Sequence, residues 1–314
     1  MSISTTPLGQ TNLSVSKIGL GTVEIGLPYG IGVKNLPTEK EAEAILKTAV
    51  DLGVTYIDTA RSYGVAEERI GKSGIAKLDN IVIGTKCGQF LKQEPDLSGP
   101  DLEKRIRADI DTSRKMLKQD QLQLVQFHNE LDDFTNYKEL IEIFQKLKDE
   151  GKVARFGVAT RGEAAPLAAY ASGFFETSQL AYNILDQRLA QTVLPQAQAK
   201  NIGVINRSVL LKGALTKAAD KLPDQLAPLK HNAQQAAEIA AKLGLQLPEL
   251  AIRFALSHPA VSTILIGTIA PEHVKTALAA AAAGPLDQST LDQLQELAIN
   301  DPNQVDPANW PHIA

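Results

Sequence analysis

Residues 38–58 read TEKEAEAILKTAVDLGVTYID and contain one complete helix–strand unit. Thr38 and Glu41 form the capping box that opens a helix. The apolar residues that follow share one helix face: Ala42, Ile45, Leu46, Ala49 and Leu52. Because this spacing is helical, and the apolar run Val54–Asp58 comes directly after it, the stretch predicts an amphipathic helix that leads into a buried strand.

The same alternation of a short apolar run and a helix-period segment continues along the whole chain. The predicted strands are Lys17–Thr22, Val54–Asp58, Ile81–Thr85, Leu122–His128, Arg155–Ala159, Ser178–Tyr182, Ile202–Asn206 and Ser262–Ile266. Several are continuous apolar runs, such as IVIGT at 81–85, which is typical of parallel strands covered on both faces. Eight units in 314 residues favour a closed barrel, because open sheets usually contain fewer strands. We therefore predict an α/β fold, a (β/α)8 TIM barrel, as a single domain over residues 1–314.

Several segments fall outside this repeat. Residues 6–15 predict a hairpin that closes the bottom of the barrel. The helical pattern of 186–200 contains Pro195, so we expect a kink or a late start there. A long connection at 214–230 precedes a helix predicted at 231–243, and connections of this length often act as lids. Extended loops are expected at the C-terminal face, where they would set substrate selectivity: 24–36, 89–98, 214–230 and 303–314.

Composition excludes several classes of function. With 22% charged residues, 5% aromatic residues and a net charge of −4, the chain lacks the basic, aromatic surface of a nucleic-acid-binding protein. The longest run of small apolar residues, Ala279–Ala283, is far too short to span a membrane. We therefore expect neither nucleic acid nor a membrane as partner, and a monomer because no apolar stripe is left unused.

Cysteine and histidine usage limits the remaining chemistry. The single cysteine, Cys87, excludes an internal disulfide, and no histidine pair has metal-ligand spacing, so no metal site is predicted. The polar start, MSISTTPLGQTNLS, lacks the apolar core of a secretory signal. A reducing, cytoplasmic location is therefore expected.

Four polar side chains stand where a barrel places its catalytic groups, at the C-terminal ends of strands. Asp58 ends the second predicted strand, Lys86 directly follows the third, and His128 ends the fourth. Tyr63 lies in the loop after Asp58. Each residue alone also has a structural interpretation, whereas the four together favour catalysis. A lysine held by an aspartate would lower the pKa of a neighbouring phenol, which is otherwise a poor acid–base catalyst at neutral pH.

At these residues the sequence resembles the aldo-keto reductase superfamily, and the resemblance covers nearly the whole chain. The matching stretches are PLGQTNLSVSKIGLGT (7–22), GVTYIDTARSYGVAEERIGK (53–72), VIGTKCG (82–88), LVQFHNE (124–130), GKVARFGVAT (151–160), QLAYNILDQR (179–188) and ILIGTIAPEHV (264–274). The resemblance implies an NAD(P)H-dependent enzyme that reduces aldehydes or ketones to alcohols. Tyr63 would protonate the carbonyl oxygen, Lys86 paired with Asp58 would lower the pKa of Tyr63, and His128 would bind the carbonyl, while C4 of the nicotinamide supplies the hydride.

The resemblance also implies a set of cofactor-binding residues. Gln179 and Thr160 would hold the nicotinamide carboxamide, and Arg207 stands where the family usually stacks a tyrosine on the ring. A guanidinium plane also stacks on aromatic rings. The remaining candidates lie in the loops at the barrel mouth, where phosphates bind in many barrels: Gly21, Thr22, Ser208, Leu210, Lys212, Gly213, Gly267, Thr268 and His273.

The identity of the cofactor depends mainly on one position. NADPH is the default implied by the resemblance, but His273 stands where members that prefer this cofactor carry arginine or lysine. A neutral imidazole attracts a 2′-phosphate less than a guanidinium does, so NADH is the alternative.

Two other functions stay open at this point. One is a Schiff-base lyase in which Lys86 is the nucleophile, and the other is a cofactor-binding sensor of the same fold. Two structural questions also stay open. Trp310 either lines the pocket or packs, and Glu67–Arg69 is expected to be a solvated first turn, with substrate contact as the alternative.

Overall fold

The computed structural model describes residues 5–30, 35–128 and 137–311. The described chain begins with an antiparallel hairpin formed by β1 (Thr5–Pro7) and β2 (Ser14–Ser16), which confirms the hairpin predicted at 6–15. Leu8 and Val15 are fully buried and belong to the apolar cluster of the barrel interior. The hairpin therefore closes the end of the barrel at which the strands begin.

Eight parallel strands form a closed barrel, as predicted. They are β3 (Ile18–Gly21), β4 (Tyr56–Asp58), β5 (Val82–Cys87), β6 (Leu124–His128), β7 (Phe156–Ala159), β8 (Thr177–Ala181), β9 (Gly203–Arg207) and β10 (Val261–Gly267). Each strand pairs with its neighbour in the sequence, and β10 pairs with both β9 and β3 to close the ring. All eight predicted strands are confirmed, with ends that differ by no more than two residues.

Helices flank the barrel and pack against their neighbours. In the described residues they are α1 (Glu39–Asp51), α2 (Ala66–Ser73), α3 (Gly99–Leu117), α4 (Lys138–Asp149), α5 (Ala164–Ser172), α6 (Val193–Ala199), α7 (Ala227–Lys242), α8 (Leu247–Ser257), α9 (Pro271–Ala282), α10 (Gln288–Gln295) and α11 (Pro302–Val305). The capping box that opens α1 is formed, because the Thr38 hydroxyl accepts from the Glu41 amide and the Glu41 carboxylate accepts from the Thr38 amide.

Two helices carry a proline in their first turn, and this affects where each helix begins. The predicted late start of the 186–200 segment is confirmed, because α6 begins at Val193 and carries Pro195 in its first turn. The predicted start at 231 was wrong, since α7 begins at Ala227. Pro228 lies in the first turn of α7, where a missing amide costs no hydrogen bond. The preceding connection is correspondingly shorter and contains two 3-10 turns, Lys217–Lys221 and Asp224–Leu226.

Two further properties hold for the described ranges. No helix there combines the length and the apolar character that crossing a membrane requires. No group of three or more histidine, cysteine, aspartate or glutamate side chains in those ranges is placed to hold a metal ion.

Candidate active site

Strand alternation brings three of the predicted catalytic residues to one end of the barrel interior. Tyr56 fills the interior beside Gly84, where an added Cβ would lie 2.2 Å from the Tyr56 hydroxyl. Since side chains alternate along a strand, Asp58 and Lys86, two residues further along β4 and β5, point inward as well. His128 ends the adjacent strand β6. The three side chains therefore meet at the C-terminal mouth.

Asp58 and Lys86 form a buried ion pair. The ammonium Nζ of Lys86 lies 2.6 Å from Oδ2 of Asp58 and also donates to the backbone oxygen of Thr59 at 2.9 Å. The amide Nε2 of Gln179 donates to the other carboxylate oxygen, Oδ1 of Asp58, at 2.6 Å. Both charges are nearly inaccessible to solvent, with side-chain exposures of 0% for Lys86 and 3% for Asp58. Such a pair persists only because each charge has close partners.

The Tyr63 side chain lies directly beside this pair. The Lys86 Nζ is 4.9 Å from the centroid of the Tyr63 ring. The His128 ring meets the Tyr63 ring edge to face, with centroids 6.3 Å apart. The loop that carries Tyr63 packs tightly against the loop after β3, since a Cβ on Gly26 would lie 1.9 Å from the Tyr63 backbone oxygen. The structure thus brings the four predicted catalytic residues together.

The electrostatic balance at Tyr63 differs from the expected one. Burial raises the pKa of Tyr63 above its ordinary value, and Lys86 opposes this rise without reversing it. Burial alone would lower the pKa of Lys86, but the neighbouring Asp58 and Tyr63 outweigh burial and raise it. Lys86 is therefore an ammonium at neutral pH, and Tyr63 is a protonated phenol. Lys86 thus acts on Tyr63 in the expected direction, towards a lower pKa, and the net rise comes from desolvation, which the sequence does not reveal.

A cavity of about 750 Å³ opens above these residues. Asp58, Tyr63 and His128 line it, and Lys86 lies behind them. All twelve predicted cofactor-binding residues also line it: Gly21, Thr22, Thr160, Gln179, Arg207, Ser208, Leu210, Lys212, Gly213, Gly267, Thr268 and His273. Its volume lies in the range of pockets that hold small molecules and cofactors.

Parts of the cavity wall have the properties that a bound nucleotide requires. The Thr160 hydroxyl is buried and forms no hydrogen bond with any described residue, so it is available to a ligand. Gly21 and Gly267 are register partners in adjacent strands at the mouth, where the absence of side chains lets another group approach the backbone closely, and the Glu24 carboxyl lies beside Gly267. The Thr268 hydroxyl lies 2.9 Å from Nδ1 of His273, which ties this histidine to the same loop.

All four expected loops contribute to the cavity, at least in part. Lining residues come from 24–30 (Glu24, Leu27, Tyr29 and Gly30), from Gln89, from Thr216, and from the tail residues Asp306, Pro307 and Ala308. The parts of these loops at 31–34 and 312–314 lie outside the described residues. Trp310 packs rather than lining the cavity, and its indole Nε1 donates to the backbone oxygen of Gln304 at 2.8 Å.

Sequence reasoning missed three charged groups near the mouth. Glu24 lines the cavity, and burial raises its pKa to about 7. Arg161, directly after Thr160, pairs with Asp306 of the tail at 2.7 Å. Their positions could have indicated them, because Glu24 and Asp306 lie in loops predicted to surround the cavity and Arg161 lies close to the end of β7.

The prediction that Glu67–Arg69 form a solvated first turn was wrong for Glu67. This carboxylate is 1% exposed, accepts from the Thr85 hydroxyl at 2.6 Å and pairs with Arg61. Glu68 does lie at the surface, where it pairs with Lys72.

Comparisons with known proteins agree with this architecture. The profile of the Aldo/keto reductase family matches residues 17–299. The chain is 29% identical to L-galactose dehydrogenase of Arabidopsis thaliana, over 97% of this chain and 96% of that protein. It is 26% identical to the NADH-specific methylglyoxal reductase of Escherichia coli, over 87% of this chain and 92% of that protein.

Solved structures show the same likeness. An aldo-keto reductase from Bacillus halodurans, solved in its holo form, superposes with a TM-score of 0.78 at 25% identity, covering 95% of this chain and 97% of that one. The chain therefore belongs to the aldo/keto reductase family, whose members are oxidoreductases that act on small-molecule carbonyl compounds with nicotinamide cofactors.

Proposed function

We propose that this protein is an NAD(P)H-dependent reductase that converts aldehydes or ketones to alcohols, with Tyr63 as the proton donor. The observation that carries the proposal is the buried Lys86–Asp58 ion pair, which faces Tyr63 at the base of the cavity. A bound reduced nicotinamide would supply the hydride.

The residues of the chain account for the proton side of this reaction. Burial keeps Tyr63 protonated at neutral pH, as a general acid must be. As the carbonyl oxygen gains negative charge, Tyr63 donates its proton, and the adjacent Lys86 ammonium stabilises the phenolate that results. Asp58 holds this ammonium in place. His128 is placed beside Tyr63 to donate a second hydrogen bond to the carbonyl oxygen.

The cofactor would lie along the same cavity. We propose that Thr160 and Gln179 bind the nicotinamide carboxamide and that Arg207 packs beside the ring, because all three line the cavity within the mouth. The pyrophosphate would bind near Lys212 and the loop that begins at Gly267, where a cation lines the cavity and Gly267 and Ile269 are exposed. The remaining candidates would complete the cofactor site: Gly21, Thr22, Ser208, Leu210, Gly213, Thr268 and His273.

We propose NADPH as the cofactor and NADH as the alternative. NADH is an alternative because His273 stands where the family resemblance implies an arginine or lysine in NADPH-preferring members, and because one relative of this chain is named as NADH-specific. We further propose a cytoplasmic monomer. The single cysteine, Cys87, is buried and free, which fits a reducing compartment.

The Schiff-base alternative is disfavoured by the state of Lys86. A lysine nucleophile must be a neutral amine, whereas the partners of Lys86 raise its pKa and keep it an ammonium. A cofactor-binding sensor would differ by binding nicotinamide cofactor without reducing any member of a broad carbonyl panel.

Replacing Tyr63 with phenylalanine tests the proposal. Tyr63→Phe should lower kcat for carbonyl reduction roughly 10²–10⁴-fold, the usual contribution of acid–base assistance, and change the Kd of the reduced cofactor little. Tyr170→Phe is the matched control, since it removes a buried phenol that does not line the cavity. If Tyr63→Phe retains turnover within about tenfold of the wild type, Tyr63 is not the proton donor.

A further inference from the structure

Arg207 places a positive charge in the cavity without a carboxylate partner. It ends β9 and lines the cavity. Its Nη1 lies 3.2 Å from the Ser208 hydroxyl, and its Nη2 lies 3.3 Å from the Thr160 backbone oxygen. Both partners are neutral, and Arg207 forms no ion pair with any other described residue. The guanidinium therefore keeps a full charge at the mouth.

Two carboxylates of the cavity wall, Asp58 and Asp306, do not neutralise this charge, because each is bound to another cation. Asp58 accepts from Lys86 at 2.6 Å, and Asp306 accepts from Arg161 at 2.7 and 2.9 Å. Each of these pairs is close to neutral as a unit. Arg207 thus adds a positive charge that these two ion pairs do not cancel, and this charge acts on both Asp58 and Asp306 as well.

The proposed reaction requires the nicotinamide ring to lie within reach of this charge. The carbonyl oxygen must contact Tyr63, and reacting atoms approach to about 3–3.5 Å, so the ring must lie within a few ångströms of Tyr63. Arg207 and Tyr63 line the same cavity, and Arg207 contacts Thr160, one of the residues proposed to hold the nicotinamide carboxamide. The oxidised ring carries one positive charge, whereas the reduced ring is neutral. Only the oxidised ring is therefore repelled by Arg207.

We propose that Arg207 makes the site select the reduced form of the cofactor over the oxidised form, an inference that rests on the proposed function. Two like charges several ångströms apart in a partly buried site repel enough to change affinity about tenfold or more. The oxidised cofactor would then leave quickly after each turnover, so the enzyme would be inhibited little by this product.

Two substitutions at Arg207 separate charge from shape. Arg207→Gln removes the charge and keeps a polar planar group, whereas Arg207→Lys keeps the charge on a side chain of different shape. Dissociation constants for the oxidised and reduced cofactors are measured by calorimetric titration of each variant. The titrations are run near pH 6, below the pKa of about 7 of Glu24, so that this carboxyl is mostly neutral.

The expected result is a change in the ratio of the two dissociation constants. The ratio of oxidised to reduced Kd should fall about tenfold in Arg207→Gln and stay within about threefold of the wild type in Arg207→Lys. An unchanged ratio in Arg207→Gln overturns the inference. So does a raised KM for anionic carbonyl substrates with the ratio unchanged, because Arg207 would then anchor the substrate.

A measurement on the wild type keeps the inference testable if Arg207→Gln does not fold. ADP-ribose, or its 2′-phosphate, is the cofactor without the nicotinamide ring. The reduced cofactor should bind more tightly than this fragment, and the oxidised cofactor should not. If both cofactors bind more tightly than the fragment by the same factor, the inference is overturned. Failure of the proposed function gives a different result, because the wild type would then bind neither cofactor and reduce no carbonyl compound.

Discussion

Glu24 provides a direct test of the electrostatics of the cavity. It lies in the short 3-10 turn Val23–Ile25 after β3, and its carboxyl forms no hydrogen bond or ion pair with the described residues. Burial raises its pKa from 4.5 to about 7. We predict that Glu24→Gln stabilises the protein at alkaline pH, because glutamine fills nearly the same volume without a charge to desolvate.

The size of the effect follows from the shift in pKa. A rise from 4.5 to about 7 corresponds to about 3 kcal/mol at 1.36 kcal/mol per unit. Because the side chain is only half-buried, solvent screens part of this, and we expect about 1–3 kcal/mol. The pKa of Glu24 is higher in the folded state than in the unfolded state, so the fold favours the protonated carboxyl. The contribution of this protonated carboxyl to the free energy of unfolding is fully present below pH 4.5 and is lost as the pH rises through about 7. The advantage of Glu24→Gln should therefore grow from near zero below pH 4.5 to its full value near pH 8.

Urea denaturation near pH 4.5 and pH 8 measures this directly, with the emission of the single tryptophan, Trp310, as the probe. Glu142→Gln is the matched control, because it removes an exposed carboxylate on α4. The free energy of unfolding of this control should follow that of the wild type at both pH values. The reasoning would be refuted if the free energies of unfolding of Glu24→Gln and the wild type differed by the same amount, within about 0.5 kcal/mol, at both pH values.

Three other perturbations have definite expected outcomes. Lys86→Met leaves the Asp58 charge buried and unpaired, so it should cost about 3–5 kcal/mol by urea denaturation, and adding Asp58→Asn should recover part of that loss. Asp306→Asn removes the tail's ion pair and should increase amide hydrogen exchange in residues 302–310; slow exchange as in the wild type would count against a role for this pair. Gly26→Ala places a methyl group against the Tyr63 backbone oxygen and should cost about 1–3 kcal/mol as well as turnover, whereas full activity and stability would show that the loop can adjust.

The architecture and the catalytic cluster were accessible from sequence because both follow from periodicity. Apolar runs separated by helix-period segments identified the eight strands, and the barrel rule then placed Asp58, Lys86 and His128 at one mouth. Residues at strand ends are fixed by the strand itself, so their convergence needs no knowledge of side-chain packing.

Other features depend on contacts between distant segments and were not predictable in this way. Glu67 looks like an ordinary first-turn glutamate, and it is buried only because Thr85 of β5 and Arg61 converge on it. The direction in which the pKa of Tyr63 shifts depends on how deeply the ring is buried, and the sequence around Tyr63 does not reveal this. The early start of α7 reflects Pro228, whose fixed backbone angle suits the beginning of a helix as well as a loop.

The contact between Tyr56 and Gly84 constrains how this barrel can vary. One position carries a large ring and the other no side chain at all, and the ring occupies the space that the missing methyl group would need. Gly84 can therefore gain a side chain only if a smaller residue replaces Tyr56 on β4. Asp58 follows Tyr56 by two residues on β4, and Lys86 follows Gly84 by two residues on β5, so this contact packs directly beneath the ion pair. A change in the packing of this core contact would thus fall directly next to the residues proposed for catalysis.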